Sequence, residues 1–195
     1  FLNLRIKHMR KDVIVMKVIV RKELEQDHKT VELLVEEAFK DAEYSDHMEH
    51  VLVSKLRKGE NFIDGLSLVA EREGEIVGHI LLTKANIENE TEKYETLALA
   101  PVSVLPKYQG IGIGGELIRE GMRMAKELGY DSIIVLGHDK YYPKFGFKKA
   151  GDFGIKAPFE VPEENFMAIE LNEEALKNIS GVVRYANEFL ADNNK

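Results

Sequence analysis

The chain has 195 residues, a net charge of −7, 44% hydrophobic and 31% charged side chains, and no cysteine. This composition excludes disordered, collagen-like and coiled-coil chains, and the absence of thiols excludes disulfides, cysteine nucleophiles and cysteine-ligated metals. The acidic balance argues against a nucleic-acid partner, and no apolar stretch approaches the ~20 residues of a membrane span, so we expect a cytoplasmic protein with no membrane partner.

The N-terminal residues differ in charge from the rest of the chain. Residues 1–15 carry a net charge of +3 and precede Met16, which stands directly before a strand-like segment. The apolar run over 13–20 is too short for a signal peptide and contains Lys17. We expect 1–15 to be an extension, either upstream of the native start or added in cloning, and 16–195 to form a single domain.

The first half of the chain alternates between helical and strand periodicity. Its apolar spacing predicts a strand at 17–21, an amphipathic helix after an N-cap at Asp27, a second helix at 46–58, and strands at 66–72 and 76–84. Because Glu73, Gly74 and Glu75 form a short glycine-containing connection between the last two strands, we expect a hairpin there.

The second half contains a glycine-rich loop between a strand and a helix. The patterns predict a strand at 96–105, a loop at 107–115, a helix at 116–128, a strand at Ser132–Leu136, a short helix or turn at 140–145, and strands at 147–150 and 166–171. The tail from Asn172 has helical composition in one part and strand composition in another, and its structure is left open.

The glycine-rich loop has the chemistry of a phosphate site. Four glycines within six residues leave backbone N–H groups unobstructed at the positive end of a helix dipole. The segment 105–150 holds eight Lys or Arg against five Asp or Glu, a net +3 in an otherwise acidic chain. These features favour a small polyanionic ligand.

Other interpretations of the loop stay open at this point. Gly110, Gly112 and Gly115 satisfy the dinucleotide pattern G-x-G-x-x-G, but Asp131 precedes the next strand instead of ending it, and the loop follows antiparallel strands. A nucleoside-triphosphate loop would need a following Gly-Lys-Ser or Gly-Lys-Thr, which is missing. A purely structural glycine turn is the remaining alternative.

The order of motifs resembles the GNAT superfamily of acetyl-coenzyme A-dependent N-acetyltransferases. Residues 109–114, Gln-Gly-Ile-Gly-Ile-Gly, match its pyrophosphate motif, 142–147 look like its late Tyr-x-x-x-Gly-Phe signature, and 69–79 look like its central hairpin. Residues 21–39 are similar to its opening strand and helix, and 181–185 look like the tail of a bacterial branch of predicted N-acetyltransferases. The resemblance implies an α/β (α+β) fold with a strongly twisted, mostly antiparallel mixed sheet of about six to seven strands and helices on both faces.

The same resemblance implies how acetyl-coenzyme A is held as co-substrate. The pyrophosphate is expected on loop amides and the pantetheine arm on strand residues, which gives the cofactor-binding set Val102, Ser103, Val104, Gln109, Gly110, Ile111, Gly112, Ile113, Gly114 and Gly115. Pro101 cannot donate to a sheet ladder, so a bulge or opening is expected beside it.

Acetyl transfer needs a proton for the departing thiolate and a base for the amine. By its place in the motif we assign Tyr142, not Tyr141, as general acid, with an amphipathic wall role as the alternative for both. Glu71 and His138 stand at strand ends and are the candidate bases, although a solvated or packing role suits each, and a water relay would also serve.

We expect no metal site, because His47 and His50 lack a third partner in register. The sequence therefore predicts direct transfer of an acetyl group to a primary amine on a small molecule or peptide. The alternatives are a catalytically silent coenzyme A-binding sensor of the same fold and a nicotinamide-dinucleotide enzyme. The acceptor is not identified, and a homodimer is left open.

Overall fold

The computed structural model describes residues 17–43 and 45–190. The expected extension over 1–15 lies outside these residues. Three helices occur in the described ranges: α1 at His28–Phe39, α2 at Glu49–Leu56 and α3 at Ile113–Glu127. None of them has the length and apolarity that a membrane span requires.

In the part of the chain that the structure describes, nine strands form one mixed sheet. They are β1 Val18–Lys22, β2 Ser67–Arg72, β3 Glu75–Glu88, β4 Lys93–Val104, β5 Ser132–Leu136, β6 Lys148–Lys149, β7 Ile155–Lys156, β8 Phe166–Glu170 and β9 Gly181–Arg184. The order is β1-β2-β3-β4-β5-β8-β6, with β9 beside β3 and β7 beside β9. Among the strands of 17–43 and 45–190, only the β4–β5 and β7–β9 pairs are parallel.

The predicted fold class is confirmed, and the predicted strand number is too low. The difference comes from β7 and β9. β7 has only two residues, too few to show a periodicity, and β9 lies in the tail for which the sequence did not decide between helix and strand. β9 pairs with β3 at residues 86–88, beyond the end of the predicted hairpin strand, so β3 is longer than its apolar pattern.

Helices cover both faces of the sheet, as predicted. α3 packs on one face, where Leu117, Ile118 and Ala125 join β3 residues Ile80 and Leu82 in a single apolar cluster. α1 and α2 pack on the opposite face, in a cluster that includes Val31, Val35, Val53, Val69 and Leu81. The residues of β3 alternate between these two clusters because successive side chains of a strand point to opposite faces.

The predicted start of α3 and the predicted side-chain cap of α1 are wrong. α3 begins at Ile113, three residues before the predicted start, because Ile113 is buried one turn before Leu117. Glycines are tolerated in this first turn because the first N–H groups of a helix have no intrahelical partners in any case. Asp27 precedes α1 as predicted but does not cap it. Its carboxylate accepts the Leu24 N–H at 2.9 Å and an Arg21 N–H at 2.6 Å instead.

A buried polar cluster joins the sheet to α2. Arg57, just after α2, donates to Glu23 at 2.5 Å and to Glu32 of α1 at 2.8 Å. Glu23 also accepts the Ser67 hydroxyl of β2 and lies 3.7 Å from Nε2 of His79 on β3. Burial opposes ionisation of Glu23, but His79, Ser67 and Arg57 favour the carboxylate and lower its pKa to about 2.

Glu23→Gln should therefore destabilise the protein in a pH-dependent way. A folded-state pKa near 2, lowered from 4.5, contributes stability that is fully present above pH 4.5 and is lost as the pH falls toward 2. We expect the free energy of unfolding to fall by on the order of 3 kcal/mol at pH 7 and to depend less on pH between 4.5 and 2 than in the parent protein. Urea unfolding at several pH values measures both effects.

Glu32→Gln is the matched control, since Glu32 binds the same guanidinium from a more exposed position. Glu32→Gln should lower the free energy of unfolding by less than Glu23→Gln does, and the loss of stability at acid pH should remain. Equal losses in the two variants would show that the buried position of Glu23 has no special role.

Candidate functional site

The loop between β4 and α3 ends in a left-handed turn. Gly112 takes φ +96° and stands at the N-cap of α3, where its carbonyl accepts the Glu116 N–H at 3.1 Å. This backbone conformation strains any residue with a side chain, so the glycine is required by the turn itself.

Ile113, Gly114 and Gly115 carry the first N–H groups of α3, and the helix provides no carbonyl to accept hydrogen bonds from them. Together with the positive end of the helix dipole they form a cradle for an anion. The side chain of Ile111 is 60% exposed beside this cradle. The Gln109 side chain donates to the Val104 carbonyl at 2.9 Å, so it fastens the loop to the end of β4.

β4 leaves one edge open beside this cradle. It pairs with β5 only at Leu97 and Ala98, then continues to Val104 along β3 alone. Because one β3 residue opposes both Ala100 and Pro101, β4 contains the bulge predicted from the proline. The sheet therefore opens between β4 and β5 after Ala98, and the bulge lies at the start of the opened stretch.

The backbone groups on this open edge belong to alternate residues. The Leu105 N–H donates to the Val77 carbonyl, so Leu105 and Val77 form a hydrogen-bonded pair. Such pairs recur at every second residue of an antiparallel ladder, so Ser103 also directs its N–H and C=O groups to β3. Val102 and Val104 must then direct their N–H and C=O groups to the open edge. Of the three strand residues in the predicted set, these two can offer main-chain groups to a ligand, whereas Ser103 offers only its side chain.

Tyr142 lies beside the opening, in a short turn at Tyr142–Phe145 that follows β5. Its ring packs against Gly137, where an added Cβ would lie 2.2 Å from a ring carbon, and against Phe147 with centroids 5.6 Å apart. Burial, with a further contribution from Tyr141, raises the pKa of the Tyr142 phenol above its ordinary value. The hydroxyl therefore keeps its proton at neutral pH and is available as a hydrogen-bond donor.

The neighbouring Tyr141 occupies a position that the sequence did not indicate. Its hydroxyl would lie 2.7 Å from a Cβ at Gly114, so the two residues touch at the first turn of α3. Burial raises the pKa of Tyr141, and Arg119 opposes this. The paired tyrosines thus have different surroundings: Tyr141 borders the amide cradle, and Tyr142 borders the opening in the sheet.

The two candidate bases lie apart from each other. Glu71 on β2 is ion-paired with Arg21 at 3.0 Å, and β3 separates it from β4, roughly 10 Å away at two strand spacings. The His138 side chain is exposed, and its carbonyl accepts the N–H groups of Tyr141 and Tyr142 at 3.0 and 3.4 Å. These positions favour neither residue as base, and both assignments stay predictions.

Comparison with known proteins places these features in one family. The model of the acetyltransferase (GNAT) family matches residues 28–147. The chain is 45% identical over 115 residues to the uncharacterized N-acetyltransferase YjhQ of Escherichia coli, which covers 58% of this chain and 64% of YjhQ. It is 29% identical over 174 residues to the uncharacterized N-acetyltransferase YhbS of Escherichia coli, which covers 88% of this chain and 98% of YhbS. The chain thus spans just under two thirds of the first relative and nearly all of the second.

Solved structures agree with these sequence matches. The crystal structure of YhbS from Escherichia coli in complex with CoA superimposes with a TM-score of 0.81 at 26% identity and covers 90% of this chain and 93% of that chain. A GNAT family acetyltransferase from Brucella melitensis in complex with acetyl-CoA superimposes with a TM-score of 0.72 at 33% identity, over 89% of this chain and 99% of that chain.

The contact between Gly114 and Tyr141 can be tested by a double-mutant cycle. Gly114→Ala should lower the melting temperature by ~2–8 °C, because the new methyl group overlaps the Tyr141 hydroxyl and overpacking costs about 1–3 kcal/mol. In a Tyr141→Phe background the nearest ring atom is 3.9 Å away, and most of the loss should disappear. Equal losses in both backgrounds would exclude the contact.

Proposed function

We propose that this chain, which belongs to the GNAT family of acetyltransferases, transfers the acetyl group of acetyl-coenzyme A directly to a primary amine. One observation carries the proposal: the open edge of β4 leads directly to the free amides at the start of α3. The relatives crystallised with CoA and acetyl-CoA support the same ligand.

Two kinds of backbone group would hold acetyl-coenzyme A. The amides of Ile113, Gly114 and Gly115 would receive the pyrophosphate, since they combine free N–H groups with the helix dipole. The outward N–H and C=O groups of Val102 and the N–H of Val104 would pair with the pantetheine arm as an added strand does, while the Val104 carbonyl accepts the Gln109 side chain. The thioester would then reach the bulge, where the sheet is open.

Tyr142 would donate a proton to the sulfur that leaves the thioester. The lone pair of a neutral amine attacks the carbonyl carbon, a C–N bond forms, and the C–S bond breaks. The phenol of Tyr142 is protonated at neutral pH and lies beside the opening between β4 and β5. A positioned acid of this kind contributes typically 10²–10⁴-fold to a rate.

The acceptor is proposed only as a primary amine on a small molecule or peptide, and a homodimeric state stays a prediction. A cytoplasmic location is part of the proposal and rests on the cysteine-free sequence, which needs no oxidising compartment. The silent coenzyme A sensor and the nicotinamide enzyme are the alternatives that an experiment has to separate.

The proposed activity can be followed by thiol release, because the protein itself contributes no cysteine thiol. Acetyl-coenzyme A should raise the melting temperature, with ~2.7 kcal/mol of added stability at 100 times its Kd, and a panel of primary amines should include acceptors that release free coenzyme A. If acetyl-coenzyme A stabilises the protein but no amine in the panel leads to thiol release, the silent coenzyme A sensor is supported. If only nicotinamide cofactors stabilise the protein, the nicotinamide-dinucleotide enzyme is supported.

Tyr142→Phe should lower kcat by ~10²–10⁴-fold and leave the KM for acetyl-coenzyme A nearly unchanged, because the ring packing stays and only the hydroxyl is lost. Tyr141→Phe is the matched control and should lower kcat far less. The measurement is kcat and KM for both variants with one active amine. A larger loss in Tyr141→Phe would reverse the assignment between the two tyrosines.

A further inference from the structure

Gly137 follows β5 directly, and its side-chain position lies on the face of the sheet that carries α3. Ile133 and Val135 of β5 pack in the apolar cluster on that face, and the alternation of a strand places residue 137 with them. The ring of Tyr142 fills this position, because an added Cβ at Gly137 would lie 2.2 and 2.8 Å from two ring carbons. The φ of Gly137 lies outside the left-handed region, so it is the ring that requires a glycine here.

Asn165 holds the backbone of Gly137 with two hydrogen bonds. The Gly137 N–H donates to the Asn165 carbonyl at 2.9 Å, and the side-chain amide of Asn165 donates to the Gly137 carbonyl at 2.9 Å. The two residues continue the β5–β8 register, in which Leu136 is paired with Phe166. A hydrogen-bonded pair of an antiparallel ladder normally uses both backbone N–H groups. Asn165 directs its own N–H to the Pro162 carbonyl at 3.0 Å, so its side chain supplies the second bond.

β4 is no longer paired with β5 where Gly137 lies. The β4–β5 pairing extends only as far as Ile134, so β8 is the strand that stays beside the end of β5. The carbonyl of His138, the next residue, accepts the Tyr142 N–H at 3.4 Å. The backbone of 137–138 therefore contacts Tyr142 at two points, its ring and its N–H.

The aromatic neighbours of Tyr142 constrain its direction less strongly. Phe147 and Tyr141 meet its ring edge to face, with centroids 5.6 and 5.4 Å away. Apolar contacts are largely non-directional, whereas a hydrogen bond constrains both a distance and an angle. The two bonds between Asn165 and Gly137 therefore determine where the backbone surface against the ring lies.

We propose that Asn165 is a positioning residue for Tyr142 and acts through the backbone of Gly137. This inference rests on the proposed acetyl transfer, in which the Tyr142 hydroxyl gives its proton to the departing sulfur. With the Asn165 amide bonded, Gly137 stays against the ring and the hydroxyl is held beside the opening between β4 and β5. Without that amide, the Gly137 carbonyl loses its donor, the end of β5 is free to move, and the ring moves with it.

Asn165→Ala should lower kcat by ~10–10²-fold at a nearly unchanged KM for acetyl-coenzyme A, because a misplacement of about 1 Å at a reacting group costs up to 10²-fold in rate. The Tyr142→Phe background separates positioning from a general structural effect. The hydroxyl is already absent there, so Asn165→Ala should cause almost no further loss of kcat. Equal fold losses in the two backgrounds, or parent kcat in the single variant, would overturn the inference.

Asn172→Ala is the matched control. Asn172 follows β8 at the opposite end of the same strand pair, where its side-chain amide donates to Asp131 at 2.7 Å. It should retain the parent kcat, and melting temperatures show whether both variants are folded at the assay temperature. A kcat loss in Asn172→Ala equal to that in Asn165→Ala would contradict the inference, since any weakening of the β5–β8 pair would then suffice.

Gly137→Ala is the second variant, because its methyl group displaces the same ring directly. It should also lower kcat at a nearly unchanged KM for acetyl-coenzyme A, and this loss should also nearly vanish in the Tyr142→Phe background. Parent kcat in Gly137→Ala would count against the inference even if Asn165→Ala did not fold.

Nuclear Overhauser effects between the Gly137 α-protons and the Tyr142 ring protons test the contact without turnover. They should be strong in the parent protein and clearly weaker in Asn165→Ala. Unchanged intensities would overturn this inference alone, whatever the kinetics show. A parent protein that binds acetyl-coenzyme A and transfers to no amine would overturn the proposed function, and the Overhauser effects would still decide whether Asn165 holds the ring.

Discussion

Strands β4 and β5 share only two residue pairs, Leu97 with Ile133 and Ala98 with Ile134, before they separate. A parallel pair that ends so early leaves one edge of the remaining length of β4 without a strand partner at the centre of the sheet, where backbone groups are normally bonded. On this edge the Val104 carbonyl accepts the Gln109 side chain. The bulge at Ala100 and Pro101 lies at the start of this stretch. The rest of the site is arranged around the open edge that results.

The two faces of the sheet carry different groups. The α3 face holds the amide cradle, Tyr141 beside it and Tyr142 at the opening. The opposite face holds the buried cluster of Glu23, Ser67 and His79, which also anchors α2 through Arg57. β4 borders both groups, because Val102 and Val104 face α3 and Ser103 lies on the opposite face.

Sequence patterns could predict the elements that carry strong periodicity and the motifs that lie within one segment. Ser132–Leu136 has the predicted bounds, the fold class is confirmed, and the bulge stands beside Pro101 as expected. The start of α3 could not be predicted, because Gly114 and Gly115 have the composition of a loop, and their helical state depends on the burial of Ile113.

The polar cluster and the tyrosine contact could not be predicted for a different reason. Glu23 and Ser67 are 44 residues apart in sequence, and Ser67 and His79 are 12 apart, so their hydrogen bonds exist only in the folded sheet. Tyr141 and Gly114 likewise meet only because the turn after β5 packs on α3. No local pattern encodes such pairs.

Amide hydrogen exchange at β4, resolved by residue with NMR, tests the central claim most directly. On addition of saturating acetyl-coenzyme A, the N–H groups of Val102 and Val104 should exchange more slowly, because the ligand gives them partners. The Ser103 N–H should change little, since it is already directed to β3. Unchanged exchange at Val102 and Val104 in the bound protein would contradict the claim that the open edge of β4 holds the ligand.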